Sequence, residues 1–174
     1  NLISSNGSGI FIRYAGSMSN TLLGNWIGLA ADGTTARGNN SFGVVVGDST
    51  SNTQIGNGSA SGRNVLSGTL VYDGISVQNG AANATIIGNY IGTNAAGTAA
   101  VPNNGNGIGL QTGSTNTQIG GATAGQGNLI SGNTGLGIYG VADIVSVTIQ
   151  GNQIGTDAAG TGVIGNGTSG IALT

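Results

Sequence analysis

Side chains able to do acid–base or metal chemistry are scarce in this chain. Three are cations, Arg13, Arg37 and Arg63, and five are anions, Asp32, Asp48, Asp73, Asp143 and Asp157. There is no His, Cys, Lys or Glu. Any carboxylate chemistry must therefore come from paired aspartates. Glycoside hydrolysis needs two carboxyl groups about 5–9.5 Å apart. A calcium site needs several oxygen ligands brought together, usually with more than one carboxylate. Three scattered arginines cannot neutralise a nucleic-acid backbone, and no basic cluster addresses an anionic membrane. No apolar run approaches the roughly 18 residues of a spanning helix. Zero cysteine excludes disulfides and thiolate metal sites. No glycine run is followed by a phosphate-loop Lys, and no Gly-Gly-x-Gly-x-Asp calcium repeat is present. No catalytic residue, metal or cofactor is expected.

The elements that position these residues are legible from a repeat. Asn1-Leu2-Ile3-Ser4, Asn64-Val65-Leu66-Ser67 and Asn128-Leu129-Ile130-Ser131 start units 63 and 64 residues apart. The units are 1–63, 64–127 and 128–174. Each divides into two coils marked by Gly-Ile or Gly-Val at Gly9, Gly43, Gly74, Gly107, Gly137 and Gly170, with steps of 30–34 residues. The chain holds 37 glycines and one proline. Glycine costs a helix about 1 kcal/mol per residue, so a helical repeat of this length is disfavoured.

Three short strand candidates recur in each coil. Strand A places Ile10 and Ile12, Val44 and Val46, Ile75 and Val77, Ile108 and Leu110, and Ile171 and Leu173 inward by alternation. The fifth coil departs, with Gly140 at the second inward place. Strand B begins at Thr21, Thr53, Thr85, Thr117 and Thr148. If its Ile or Leu always points inward, these threonines change face between coil types, so they do not form a flat ice-binding array. Strand C reads Asn-x-Ile or Asn-x-Leu at Asn1, Asn25, Asn64, Asn89, Asn128 and Asn152. Asn carries amide donors and an acceptor and tolerates a left-handed bend. Stacked once per coil, Asn25, Asn64, Asn89, Asn128 and Asn152 are expected to form a hydrogen-bonded ladder.

The Gly-Ile-x-Ile and Asn-x-x-Ile-x-Gly-Asn-x-Ile patterns resemble parallel β-helix repeats of the pectate-lyase-like superfamily. Asn-Leu-Ile-Ser and Ile-Gly-Thr-Asp-Ala-Ala-Gly are most similar to repeats of large bacterial secreted and surface proteins. The resemblance spans essentially the whole chain. It implies an all-β fold: one right-handed parallel β-helix domain over 1–174, with about five coils. It also implies a secreted or bacterial cell-surface setting. It says little about function, because that superfamily includes lyases, hydrolases, adhesins and tailspikes.

Coils stack about 4.8 Å apart, so a catalytic pair needs aspartates at matched places in adjacent coils. None is expected. Asp32 and Asp157 lie in homologous loops four coils apart, Asp73 neighbours Phe42 and Asn106, and Asp48 neighbours Tyr14 and Asn79. Arg13 and Asp48 are expected to form a solvated surface pair. Fourteen-residue loops, 29–42, 93–106 and 156–169, follow strand C in alternate coils. The other coils carry inserts at 56–63 and 120–127 between strands B and C.

The outward column of strand C reads Leu2, Trp26, Val65, Tyr90, Leu129 and Gln153. Trp26 and Tyr90 fall about 10 Å apart, near one disaccharide repeat. They form either a sugar platform or, as the intervening aliphatic residues favour, a small core under the long loops. Two function classes follow. One is a non-catalytic spacer or display segment. The other is a polysaccharide-binding module or remnant of a lyase or hydrolase, with Trp26 and Tyr90 as the platform. Asn1 opens directly on repeat sequence and neither end shows a cap. A longer parent chain, or end-to-end self-association, is the expectation.

Overall fold

The structure, a computed structural model, describes residues 1–174 and contains only strands, turns and bends. Seventeen strands of two or three residues form three all-parallel sheets. The first contains Ile10–Ile12, Val44–Val46, Ile75–Val77, Ile108–Leu110, Ile138–Gly140 and Ile171–Leu173. The second contains Thr21–Leu22, Gln54–Ile55, Thr85–Ile86, Gln118–Gly120 and Thr148–Gln150. The third contains Leu2–Ile3, Trp26–Ile27, Val65–Leu66, Tyr90–Ile91, Leu129–Ile130 and Gln153–Ile154. These are sheets A, B and C of a parallel β-helix of about five turns, three strands to the turn.

Strands this short hold no structure alone, so the fold rests on stacking. Each strand bonds its equivalents in the coils before and after it. The stacked inward side chains close a single core of sixteen buried residues running along the axis, among them Val44, Ile55, Leu66, Ile75, Ile86, Ile108, Ile119 and Ile130. Sheet B pairs Gln54 with Thr85 and Ile55 with Ile86. Thr53 and Thr117 therefore turn into the core while Thr21 and Thr148 face solvent. The exception in sheet A has a packing cause. A Cβ on Gly140 would run into the Ile144 side chain and come within 2.7 Å of Leu173. Ile144 occupies the volume that strand A fills in other coils.

The asparagine ladder at the start of strand C is continuous. Each Nδ2 donates to the next Oδ1: Asn1 to Asn25 (2.7 Å), Asn25 to Asn64 (2.8 Å), Asn64 to Asn89 (2.9 Å), Asn89 to Asn128 (3.1 Å) and Asn128 to Asn152 (2.9 Å). The backbone differs from expectation at one point. In the coils without an insert the left-handed residue of this corner is the preceding glycine, with φ of 64° at Gly24, 70° at Gly88 and 68° at Gly151, and not the asparagine.

The long loops are β-hairpins, bridged antiparallel at Leu29–Ala36, Thr93–Ala100 and Thr156–Val163. Each return arm bonds its own outgoing arm and the corner of the preceding coil. Arg37 N donates to Gly28 O while Ser5 N donates to Arg37 O, and Val101 and Ile164 repeat the arrangement. Successive hairpins also bond each other, through Ala95 N to Gly33 O (2.8 Å) and Ala158 N to Gly97 O (2.9 Å). A hairpin is two strands wide, about 9.6 Å, which matches two coil rises of about 4.8 Å. One hairpin thus fills the height of two coils, and the sequence repeats every two coils rather than every one.

Candidate functional site

The outward column of sheet C stands in register: Leu2, Trp26, Val65, Tyr90, Leu129 and Gln153. The hairpins fold over one side of it. Leu29, Val65 and Val101 form a separate buried cluster, with Trp26, Tyr90 and Ala95 packed against it. The first two hairpin tips each lie on an aromatic ring, and the third, at Gly160, lies against Gln153. A Cβ on Gly33 would stand 3.1 Å from Trp26 Cη2, and one on Gly97 would stand 2.8 Å from Tyr90 Cε2. Trp26 and Tyr90 are half-buried and share this cluster, but Val65 separates them in the column.

The inserts flank the other side. Residues 120–127 stack on 56–63, with a Cβ on Gly58 coming 3.5 Å from the Gly125 carbonyl carbon. Gly88 N donates to Gln126 O at 2.9 Å, which ties this insert to the coil without one. Between insert and sheet lies a groove of about 380 Å³, lined by Arg63, Tyr90, Thr123, Leu129 and Gln153 among others. The Arg63 guanidinium lies over the Tyr90 ring, 4.0 Å from its centroid. Trp26 lies outside this groove. Sequence reasoning did not single out Arg63. Its one visible signal is its place before Asn64, where Gly24, Gly88, Gly127 and Gly151 precede the other stacked asparagines.

The aspartates are dispersed, each with its own partners. Asp48 pairs with Arg13 at 2.6 Å on the surface and accepts from Asn79 Nδ2 at 3.0 Å. The Asn79 amide and the Arg13 guanidinium hold its carboxyl below the ordinary range. The Thr35 hydroxyl, with the Thr35 and Thr34 amides, lowers Asp32 strongly. The Gly162 amide is the main group holding Asp157 down, and Thr161 N donates to it at 2.9 Å. Asp32 and Asp157 take different places in their hairpin turns, one and three residues before the tip glycine. Asp143 accepts from Gly113 N at 3.1 Å.

Asp73 is the exception. It is 5% exposed, and burial pushes its carboxyl up despite donation from Asn106 N (2.8 Å), Asn106 Nδ2 (2.9 Å) and Gln111 Nε2 (3.5 Å). Its Oδ2 sits where Gly109, which pairs with Ser76 in sheet A, has no side chain. No three aspartates converge as a metal-holding group. No helix is long and apolar enough to cross a membrane.

Two further polar ladders escaped the sequence reading. Asn103 Nδ2 donates to Asn133 Oδ1 and Asn133 Nδ2 to Asn166 Oδ1, both at 2.9 Å, and Asn6 Nδ2 donates to Asn39 Oδ1 at 3.3 Å. Thr69 interrupts this column and accepts no side-chain bond in it; its backbone N donates to Asn103 Oδ1. A third column, at the corner between sheets A and B, is exposed: Asn116 donates to Asn83 and Asn83 to Asn52. Its members Ser19, Asn52, Asn83, Asn116 and Ser146 all have φ between 51° and 57°. The second column was visible in principle: Asn39, Asn103, Asn133 and Asn166 each stand four residues before a Gly-Ile or Gly-Val marker.

Compared with family models, with characterised proteins and with solved structures, the chain matches none of them.

Proposed function

We propose that this chain is a non-catalytic structural spacer or surface-display segment of a secreted bacterial protein. The observation that carries this reading is the continuity of the stack. One core and one unbroken asparagine ladder run through every coil. The chemistry-bearing residues, by contrast, are spread singly. Such a stack carries separation along its axis, because each coil is bonded to both neighbours. The secreted or cell-surface setting rests on the resemblance of the repeats to those of large bacterial proteins. With Arg13 paired to Asp48, two free arginines remain, too few to hold a nucleic-acid backbone.

Rigidity tests the spacer reading. The chain has no cysteine, so spin labels at Thr34→Cys and Thr161→Cys report one distance across four coils. The reading expects a single narrow distance near 19 Å plus the label arms, from about 4.8 Å per coil. A broad or bimodal distribution would contradict it.

A second reading has one observation in its favour. Trp26 and Tyr90 both stay half-exposed on the sheet C face, and Tyr90 lines an open groove. On this reading the sheet C face binds polysaccharide, as a binding module or as the remnant of a lyase or hydrolase.

A further inference from the structure

We infer that the groove beside Tyr90 is a binding site for a small carboxylate-bearing molecule, read by the Arg63 guanidinium. The proposal stands apart from the spacer reading and does not use Trp26.

Three residues that line this groove, Arg63, Tyr90 and Gln153, have side-chain hydrogen-bonding capacity unspent. Arg63 donates no hydrogen bond within the protein, and its Nε is buried without a partner. Tyr90 and Gln153 line the same groove, and neither side chain makes a hydrogen bond inside the molecule. A guanidinium left with its Nε buried and unbonded is costly, since charged donors lose the most when unpaired. Arg13 shows the alternative in the same chain, because it finds Asp48. No carboxylate lines the groove to do this for Arg63.

The guanidinium is also held in place. It lies 4.0 Å over the Tyr90 ring, a contact worth about 0.5–2 kcal/mol. Much of the side-chain entropy that an anion would otherwise have to fix is therefore already lost. The stacking decides the ligand class. Arg63 covers one face of Tyr90, and the Gly97 turn packs on the ring edge. The covered face is closed to a sugar ring, while the two terminal guanidinium nitrogens, unlike the buried Nε, stay accessible to an acceptor. Parallel N–H groups match the two oxygens of a planar carboxylate. The Gln153 amide and Tyr90 hydroxyl add neutral donors for a second oxygen or a hydroxyl on the ligand. The groove, about 380 Å³, has the size of a small-molecule site.

The test is a titration of the ¹⁵N-labelled chain with propionate, followed through the three arginine Nε–Hε resonances, with sulfate and chloride at equal ionic strength as comparison. The expected result is a saturable shift of Arg63 with propionate, at least ten-fold weaker with sulfate. Arg37, exposed and without a carboxylate partner, should move little. Equal shifts at Arg37 and Arg63, or equal response to chloride, would overturn the proposal. Arg63→Gln should abolish binding. Gln153→Ala leaves the Tyr90 stack intact and should weaken binding several-fold. Unchanged propionate affinity in Gln153→Ala, or in a folded Arg63→Gln, would also overturn it.

Discussion

Asn64 Nδ2 donates to Asn89 Oδ1 at 2.9 Å, and the backbone N of Asn64 donates to the same oxygen at 3.2 Å. The second Nδ2 hydrogen of Asn64 goes to Leu22 O at 2.8 Å, and its own Oδ1 accepts from Asn25 N and Nδ2. Every polar position of this buried amide is spent on a neighbouring coil, which is why no other residue type stacks there.

Asn64→Asp should therefore destabilise the fold more than removal of one hydrogen bond would. The new oxygen would face the Asn89 and Leu22 oxygens, and a buried charge would have no cation. A loss of about 3 kcal/mol or more is expected, read as a lower urea midpoint at neutral pH. A midpoint within error of the parent chain would show that the ladder carries no energy.

Completing the second column should do the reverse. Thr69 interrupts it between Asn39 and Asn103, so Thr69→Asn offers the missing amide at the cost of the Thr69 hydroxyl bond to Tyr72 O. A gain of about 1 kcal/mol in chemical unfolding is expected, and a loss would show that the extra residue of this corner forbids the ladder geometry.

Asp73 sets a pH dependence of known sign. Its folded carboxyl is raised by burial above the ordinary Asp value of about 3.9. Its favourable contribution is thus complete below that value and is lost as pH rises through the folded one. Asp73→Asn keeps an acceptor for Asn106 and removes the buried charge. It should melt higher than the parent at pH 7 and equally at pH 3. Equal melting at both pH values would mean that the charge is not buried in solution.

Gly28 has φ of 85°, and a Cβ there would run into the Ser67 carbonyl oxygen of the next coil. Gly28→Ala should cost about 3 kcal/mol, from left-handed strain plus displacement of that coil. Gly7→Ala is the matched control, because nothing lies within 4 Å of its Cβ position. Similar melting of the two variants would contradict the close stacking at this corner.

The residues differ in how readable they were. The first ladder and the Ile and Val columns were legible because each is a single residue type at a fixed coil spacing. Asn39, Asn103, Asn133 and Asn166 kept the same spacing, but three of them lie near the ends of long loops and Asn133 in a short link, all in segments with no strand pattern. That Leu29 pairs with Ala36 to make a hairpin two coils high depends on the coil rise, a length that composition does not state. Arg63 over Tyr90 joins residues brought together only by stacking, and Asp73 is buried because Gly109, one coil on, leaves room for it. Spacing reveals columns, while contacts across the corners depend on what neighbouring coils leave empty.

On the proposed function the sheet C face serves no polymer and the stack acts as a spacer. Affinity electrophoresis of the whole chain against plant, algal and bacterial polysaccharides, with Trp26→Ala beside it, tests this most directly. Unretarded migration of both proteins in every polymer is expected. Retardation by one polymer, lost in Trp26→Ala, would contradict it and make this face a binding surface.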